Sequence, residues 1–270
     1  QLVKEADDFR MALTELDLAA RAGTLDEEDV VSAESPIRTL VDFLVDSNAA
    51  TRAEYERMVV EGMISFDVLD QHFRNKSRVT FINGSELEGA VITNVEYGQS
   101  WTGPYFHIGV EQYSSNGKNF GKISNDIRIG GFRGMVSLKD LPIQIATEAD
   151  IHTLNVRGQK WQEMVHTPQY LNYEGKMGVG GGWFVSYLTA NGRCMVDLSM
   201  HDQMVQSGSR RSNIDVDKTM TALPDDMVFT APAYVKGFSL SKKKWGTFAL
   251  SGMSEIEFRD NAYDLLVLDP

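Results

Sequence analysis

Trp183-Phe184-Val185-Ser186-Tyr187-Leu188-Thr189-Ala190-Asn191-Gly192-Arg193-Cys194-Met195-Val196-Asp197-Leu198-Ser199-Met200 carries one Asn-Gly pair between two runs of alternating apolar residues. Asn-Gly suits a tight hairpin, because both central residues of a type I′ turn need positive φ. A two-residue turn at Asn191-Gly192 pairs Thr189 with Cys194, Tyr187 with Val196, Val185 with Leu198 and Trp183 with Met200. All four pairs fall on one face, and nearly every member is apolar. The other face carries Ser186, Asp197 and Ser199 beside Phe184, Leu188 and Met195. Turn and alternation agree, so the stretch is expected to be a hairpin with Cys194 on its core side.

Two more Asn-Gly pairs, Asn83-Gly84 and Asn116-Gly117, extend the pattern. The first is expected to join Arg78–Ile82 to Glu86–Tyr97. The second is expected to set Tyr113 opposite Phe120 and Val110 opposite Ile123. Val136 to Ile145 and Phe229 to Phe238 read as further strands, and Ala149 to Val165 as a short helix. A sheet built from hairpins needs its edges closed or covered. The expectation for this part is a barrel-like or rolled, largely antiparallel β body.

The first quarter differs. Residues 1–75 hold 7 Lys/Arg against 17 Asp/Glu, while residues 76–270 hold 19 against 21. Leu2, Ala6, Phe9, Leu13, Leu16 and Ala20 form a heptad stripe, which Gly23 ends. This is either a short coiled coil that joins subunits or one amphipathic helix on its own domain. Thr24 to Glu34 reads as an acidic linker. Ser35-Pro36 starts a helix with the apolar face Ile37, Leu40, Val41, Leu44 and Val45. Thr51 and Glu54 match a capping box for the next helix, with Tyr55, Met58, Val59 and Met63 inside. Ser65 can cap a short helix that presents Phe66, Leu69 and Phe73. The class is therefore α+β, helices first. The divisions are 1–34 (heptad helix and linker), 35–76 (helical subdomain) and 77–270 (β-rich domain).

Composition excludes several classes. Of the 270 residues 42% are hydrophobic and 10% aromatic, too many for a disordered chain. The net charge of −12 argues against a broad nucleic-acid surface. A lone cysteine, Cys194, leaves no disulfide framework. No run of 18 apolar residues suggests a membrane span, and no secretory apolar region follows Gln1. A start at Gln rather than Met suggests a trimmed chain. An intracellular protein, cytoplasmic or nuclear, is expected.

Chemical motifs are sparse. Gly178-Val179-Gly180-Gly181-Gly182 lacks the Lys-Ser/Thr ending of a Walker A loop and precedes a strand, so it reads as a connector. No HExxH, GxSxG or EF-hand spacing occurs. The five histidines are His72, His107, His152, His166 and His201, scattered through the chain. His72 reads as satisfied or solvent-facing. His201-Asp202 with Cys194 suggests a nucleophile and base, but a core-facing thiol is a poor nucleophile. No catalytic, cofactor or metal residue is assigned. The candidate interaction surface is Trp101 and Tyr105 in an aromatic loop, Arg210 and Arg211 in the polar loop 203–226, and the basic cluster Lys242, Lys243 and Lys244. Arg210 and Arg211 can pair with phosphate. The three lysines equally suit a solvated turn between strands, with Trp245 and Phe248 pointing inward.

From about Val31 to Pro270 the order of elements resembles the region ahead of the ATPase core in filamentous-fungal AAA ATPases, a domain of unknown function. The resemblance is carried by Ile64 to Leu69 with Phe73, then Ile129-Gly130-Gly131-Phe132-Arg133-Gly134, Ser137-Leu138 and Leu141-Pro142. Arg157-Gly158, Tyr173-Glu174-Gly175 and Gly192-Arg193-Cys194-Met195-Val196-Asp197 follow. The most specific segments are Val235-Lys236-Gly237-Phe238-Ser239-Leu240-Ser241-Lys242-Lys243-Lys244-Trp245 and Asn261-Ala262-Tyr263-Asp264-Leu265-Leu266-Val267-Leu268. Asp70 and Gln71 depart from a common Trp, and Cys194 from the usual Ile.

This resemblance implies a parent ATPase whose ATP and Mg²⁺ sit in a module outside these residues. The 270 residues hold no Walker A or B sequence, so no cofactor and no hydrolysis is expected of this chain alone. The implied role is a non-catalytic amino-terminal domain that recognises a protein substrate or adaptor. Further expected partners are its own AAA module and a second copy through residues 2–20, with no nucleic acid. The motif Gly192, Arg193, Asp197, Gly237, Phe238 and Trp245 is expected to be structural, with Arg193 and Asp197 in one polar network. The alternatives are a ligand-sensing β-barrel that regulates the ATPase and an independent enzyme around His201, Asp202 and Cys194.

Overall fold

The computed structural model describes residues 39, 43, 49–180, 185–205 and 214–256. The heptad stripe, the linker 24–34, most of the helix after Pro36, Arg210, Arg211, Trp183 and the segment Asn261–Leu268 lie outside the described residues.

The chain forms two compact units. One comprises Gln1–Asn75, Val95–His107 and Arg128–Leu141; the other comprises Lys76–Asn94, Ile108–Ile127 and Pro142–Pro270. Three strands contribute residues to both: β3 (Glu86–Ser100), β4 (Gly103–Ser115) and β5 (Phe120–Gly130).

In the first unit residues 49–60 are helical, so Thr51 lies within a helix rather than at its cap. Met63 opens β1 (Met63–Ser65) instead of closing the helix face. This strand pairs antiparallel with β6 (Met135–Ser137), Ile64 opposite Val136. Ser65 precedes a 3-10 turn, Phe66–Val68, without a side-chain cap, and the helical turn Leu69–His72 follows. Ile64, Leu69, Phe73 and Phe106 are fully buried. Rings hold this small core: Phe66 lies edge-on to Tyr97 and to Phe132, at 5.5 and 5.6 Å, and Tyr97 is 4.8 Å from Phe106.

The second unit contains a six-stranded sheet and a closed barrel. The sheet order is β10 (Asp215–Val216), β5, β4, β3, β2 (Arg78–Asn83) and β7 (Ile143–Ile145). Asn83 faces Glu86, so the first hairpin turns at Gly84-Ser85, one residue later than expected. The second turns over Asn116–Asn119, where the Asn116 N–H donates to the Asn119 carbonyl at 3.2 Å. The barrel comprises β8 (Gln169–Val179), β9 (Ser186–Val196), β11 (Tyr234–Ser239) and β12 (Lys244–Ala249), closed by one β12–β8 contact at Thr247 and Gly178. β13 (Met253–Ser254) pairs antiparallel with β8, Met253 opposite Tyr173. The expected α+β architecture, helices first and an antiparallel, barrel-containing body after, is what the chain adopts.

The hairpin at Asn191-Gly192 is not formed. β9 runs straight through this pair, with Asn191 opposite Glu174, Gly192 opposite Tyr173 and Cys194 opposite Leu171. The chain reverses between Val179 and Ser186, at the glycine-rich stretch read as a connector. An 11-residue ladder satisfies far more backbone groups than the short arms an Asn191 turn would leave. Gly192 uses its positive φ of 106° within the curling ladder rather than in a turn. The faces change accordingly. Ala190, Cys194 and Val196 are buried, but Tyr187, expected inside, is 63% exposed.

Two other expected strands are broken. Val136 to Ile145 holds β6, a 3-10 turn at Leu138–Asp140, and β7 in another sheet. Phe229 to Phe238 begins in a 3-10 turn, Asp225–Thr230, that bars pairing before Tyr234.

Helix α1 (Glu148–Val165) confirms the expected helix. Thr147 and Asp150 form a reciprocal capping box, and Ile151, Leu154, Trp161 and Val165 recur at helical spacing on the buried side. Phe229 joins Ile151 and Leu154 in one cluster. The Trp161 indole N–H donates to the Tyr234 carbonyl at 3.2 Å, tying α1 to β11.

Asp197 has a defined task. Its carboxylate accepts from the Met200 N–H at 2.8 Å and its carbonyl from the His201 N–H at 3.1 Å, so it caps α2 (Leu198–Val205). No ion pair joins it to Arg193 among the described residues. Asp197→Ala removes the cap and is expected to cost about 1 kcal/mol. A thermal melt followed by circular dichroism should fall by about 2–4 °C for a domain of this size. An unchanged midpoint would refute the capping role.

Candidate interaction surface

β3 and β4 meet at Trp101-Thr102, the tip of a long hairpin. Trp101 is 97% exposed. Its neighbours are held in place: the Ser100 hydroxyl lies 2.8 Å from the Thr102 hydroxyl and donates to the Gly103 carbonyl at 2.9 Å. Gly98 leaves a bare patch of strand against which the Tyr105 ring packs; a Cβ there would overlap that ring. The Arg128 guanidinium lies 5.1 Å from the centre of the same ring. The Gly131 N–H donates to the Pro104 carbonyl at 2.8 Å. A large apolar ring thus stands in water on a braced support.

The base of this hairpin is also fixed. The Tyr97 hydroxyl donates to the Phe66 carbonyl at 3.0 Å, and burial together with the Asp70 carboxylate holds it protonated far above its ordinary pKa. His72 is a satisfied histidine, as expected: Nδ1 lies 3.1 Å from the Tyr55 hydroxyl. Burial pushes the His72 pKa down and that of Tyr55 up, so both stay neutral.

The other predicted residues are dispersed. Lys242 and Lys243 occupy the β11–β12 turn, and Lys244 opens β12 opposite Ser239. The Ser239 hydroxyl accepts from the Lys242 N–H at 3.2 Å, and Lys243 has a φ of 52°. Trp245 is half-buried, with Phe238 and His201 against its ring at 5.3 and 6.1 Å, while Phe248 is fully buried. Gly237 pairs with Gly246 and Val196. Cys194 is 1% exposed, its sulfur 3.7 Å from that of Met253, and burial pushes the thiol up to about 11. His201 bonds Asp202 at 3.2 Å, and Lys236 bonds the same carboxylate at 2.7 Å.

Sequence reading missed a cleft in the second unit. It occupies about 580 Å³ and runs between the sheet and the barrel. A second cleft of about 470 Å³ shares Gly84, Lys176, Tyr187 and Tyr234 with it. A row of polar side chains crosses the floor. Asn125 donates to Gln112 at 3.0 Å, and Gln112 donates to the Glu88 carboxylate at 3.3 Å and to the Gly89 carbonyl at 3.0 Å. Glu88 also accepts from the Ala233 N–H at 3.2 Å. The only advance signal was a carboxylate and an amide set within apolar strands.

Comparison with known proteins adds one finding. A family model described as a domain of unknown function (DUF7025) matches residues 54–149. No curated protein matches the chain, and no solved structure does. The matched segment holds Trp101 and Tyr105; Lys242–Lys244 and the barrel lie beyond it. No described helix is long and apolar enough to cross a membrane.

The Asp202 cluster makes a pH-dependent contribution. Burial raises the Asp202 pKa, but the bonds from His201 and Lys236 outweigh this and leave it below the usual carboxylate value. A depressed folded pKa stabilises the fold above the unfolded value of about 3.9, and the benefit is lost as pH falls through the folded value. Asp202→Asn should therefore melt lower than wild type at pH 7, with the gap closing below about pH 4. A gap constant from pH 7 to pH 3, measured by differential scanning calorimetry, would exclude this linkage.

Proposed function

We propose that the chain is a non-catalytic recognition domain that precedes the ATPase module of an AAA-type remodelling protein and recruits a protein substrate or adaptor. The observation that carries the recruitment reading is Trp101, held 97% exposed on a braced hairpin. Leaving an indole in water forfeits burial worth about 2–3 kcal/mol, and bracing keeps that surface ready for a partner. Tryptophans of this kind are frequent anchors of protein interfaces. The ATPase part of the reading rests on the resemblance of Val235–Trp245 and Asn261–Leu268 to fungal AAA proteins. The match of residues 54–149 to a domain of unknown function agrees with it at a coarser level.

Each part has its own test. Translation of the gene beyond the codon for Pro270 should reveal a glycine-rich Lys-Ser/Thr loop, followed by an acidic Walker B strand. An in-frame sequence without them removes the ATPase reading. For recruitment, benzoylphenylalanine replacing Trp101 should give discrete protein crosslinks in cells. The same probe replacing Val156, a 58% exposed residue of α1, should not. Equal crosslinking at both positions would argue that exposure alone, not a docking surface, governs contact. Trp101→Ala should shift stability by no more than about 0.5 kcal/mol, as surface changes generally do.

A further inference from the structure

The barrel of the second unit is closed unevenly. β8 and β9 pair over their whole length, from Gln169 opposite Val196 to Val179 opposite Ser186. On its other side β8 meets β12 only at Gly178, opposite Thr247, and then β13 at Tyr173 and Asn172, opposite Met253 and Ser254. Between these contacts five residues, 248–252, oppose four, 174–177. The extra residue is taken up in a 3-10 turn, Leu250–Gly252, and no ladder crosses the gap among the described residues. Extending the Thr247–Gly178 register by two residues would set Ala249 against Lys176.

A side chain spans that gap. The Tyr173 hydroxyl donates to the Lys176 carbonyl at 2.7 Å, and burial raises this hydroxyl's pKa against the pull of the Ala249 amide on the β12 side. Two glycines make room for the ring: a Cβ at Gly252 would lie 2.8 Å from Tyr173 Cε2, and one at Gly175 would lie 2.9 Å from the hydroxyl. The Phe248 ring meets it edge-on at 4.9 Å. Residues 250–254 have few other ties. The Leu250 N–H donates to the Ala233 carbonyl at 2.9 Å, the Ser251 hydroxyl to the Glu86 carboxylate at 2.7 Å, and the Lys160 ammonium to the Met253 carbonyl at 3.5 Å. Behind them the Met253 sulfur lies 3.7 Å from that of Cys194. The second cleft, of about 470 Å³, lies over the gap, with Tyr173, Gly175, Lys176, Ala249 and Gly252 lining it from both sides.

We propose that residues 250–254 form a strap that peels from β8 as one unit, with the Tyr173 hydroxyl as its latch, and that its opening joins the second cleft to the barrel core at Cys194. The rest of the barrel stays paired, because neither the β8–β9 ladder nor the β11–β12 ladder includes the strap. Local opening of this kind occurs where few hydrogen bonds and contacts hold an element. A molecule seated in the cleft would touch both walls of the gap, so its binding and the position of the strap bias one another. The strap depends neither on the Trp101 surface nor on an ATPase module.

The test follows Cys194, the only cysteine of the 270-residue chain, as it reacts with excess dithiobisnitrobenzoate under native conditions at pH 8. Labelling should depend on urea far less steeply than global unfolding followed by circular dichroism. Tyr173→Phe leaves the Lys176 carbonyl without its donor and should speed labelling about tenfold. Ser251→Ala frees the strap from Glu86 and should speed it about threefold. Thr147→Ala removes the capping box of α1, so it should lower the melting midpoint yet leave the labelling rate unchanged. Hydrogen exchange read by mass spectrometry should show the amides of residues 250–254 exchanging before those of the β8–β9 ladder, in the unaltered chain and so without a variant that must fold. The proposal is overturned if labelling tracks global unfolding, if Tyr173→Phe folds but has no effect, or if Thr147→Ala speeds labelling as much as Tyr173→Phe does. Simultaneous exchange of the strap and the β8–β9 ladder would overturn it as well.

Discussion

The second unit is organised around one buried carboxylate. Glu88 sits in the middle of β3, only 5% exposed. An ionised carboxylate taken from water costs several kcal/mol unless its lone pairs are met. They are met from three directions: the Gln112 amide on β4, the Ala233 N–H ahead of β11, and the field of the Arg157 guanidinium on α1. Arg157 in turn donates to the Leu87 carbonyl, and burial lowers its pKa against the pull of Glu88 and Glu86. Sheet, helix and barrel entry therefore share one electrostatic requirement. The Glu88 charge partly offsets the cost of burying the Arg157 guanidinium, so removing Glu88 would leave Arg157 less well compensated. The row Glu88–Gln112–Asn125 then sets the polarity of the cleft floor.

Where few alternatives competed, the Asn-Gly signals mark a chain reversal to within one residue. Gly84-Ser85 and Asn116–Asn119 lie between strands that neighbour each other in sequence, so the local pair and the global sheet agree. At Asn191-Gly192 they conflict. The same alternation of apolar residues supports either a short hairpin or one long strand, because both keep period two. The deciding partner is β8, whose residues Gln169 to Val179 pair along the whole of β9. Breaks such as Asp225–Thr230 and Leu138–Asp140 are short 3-10 turns with no periodic signature of their own, so apolar runs concealed them. Thr147 and Asp150, by contrast, bracket α1 with residue types that carry their own hydrogen-bonding instructions.

The hairpin tip was partly visible in the sequence: Trp101 to Tyr105 reads as an aromatic loop, but which ring faces water is a tertiary matter. Tyr105 packs against Gly98 and Trp101 does not. The lysine turn was visible for the same local reason, since three charges between two apolar strands have nowhere else to go. The cleft was invisible. Its lining comes from residues as far apart as Phe81 and Thr247, and no local pattern encodes the pairing of sheet with barrel.

Several chemistry-bearing side chains of the second unit are tied to structural partners. Cys194 packs on Met253, Asp202 holds Lys236 and His201, Glu88 holds Gln112, and Asp197 caps α2. Each is committed to a structural partner, and the cysteine is far from the thiolate state that nucleophilic attack requires. Around the cleft the side chains facing solvent include Tyr187 and Val185 on its wall and Asn125 on its floor. Such groups supply contact area and hydrogen bonds without a reactive centre, which is the inventory of a binding surface. The aromatic-braced hairpin tip of the first unit has the same character. These commitments are the physical ground for the proposal that the chain acts by binding.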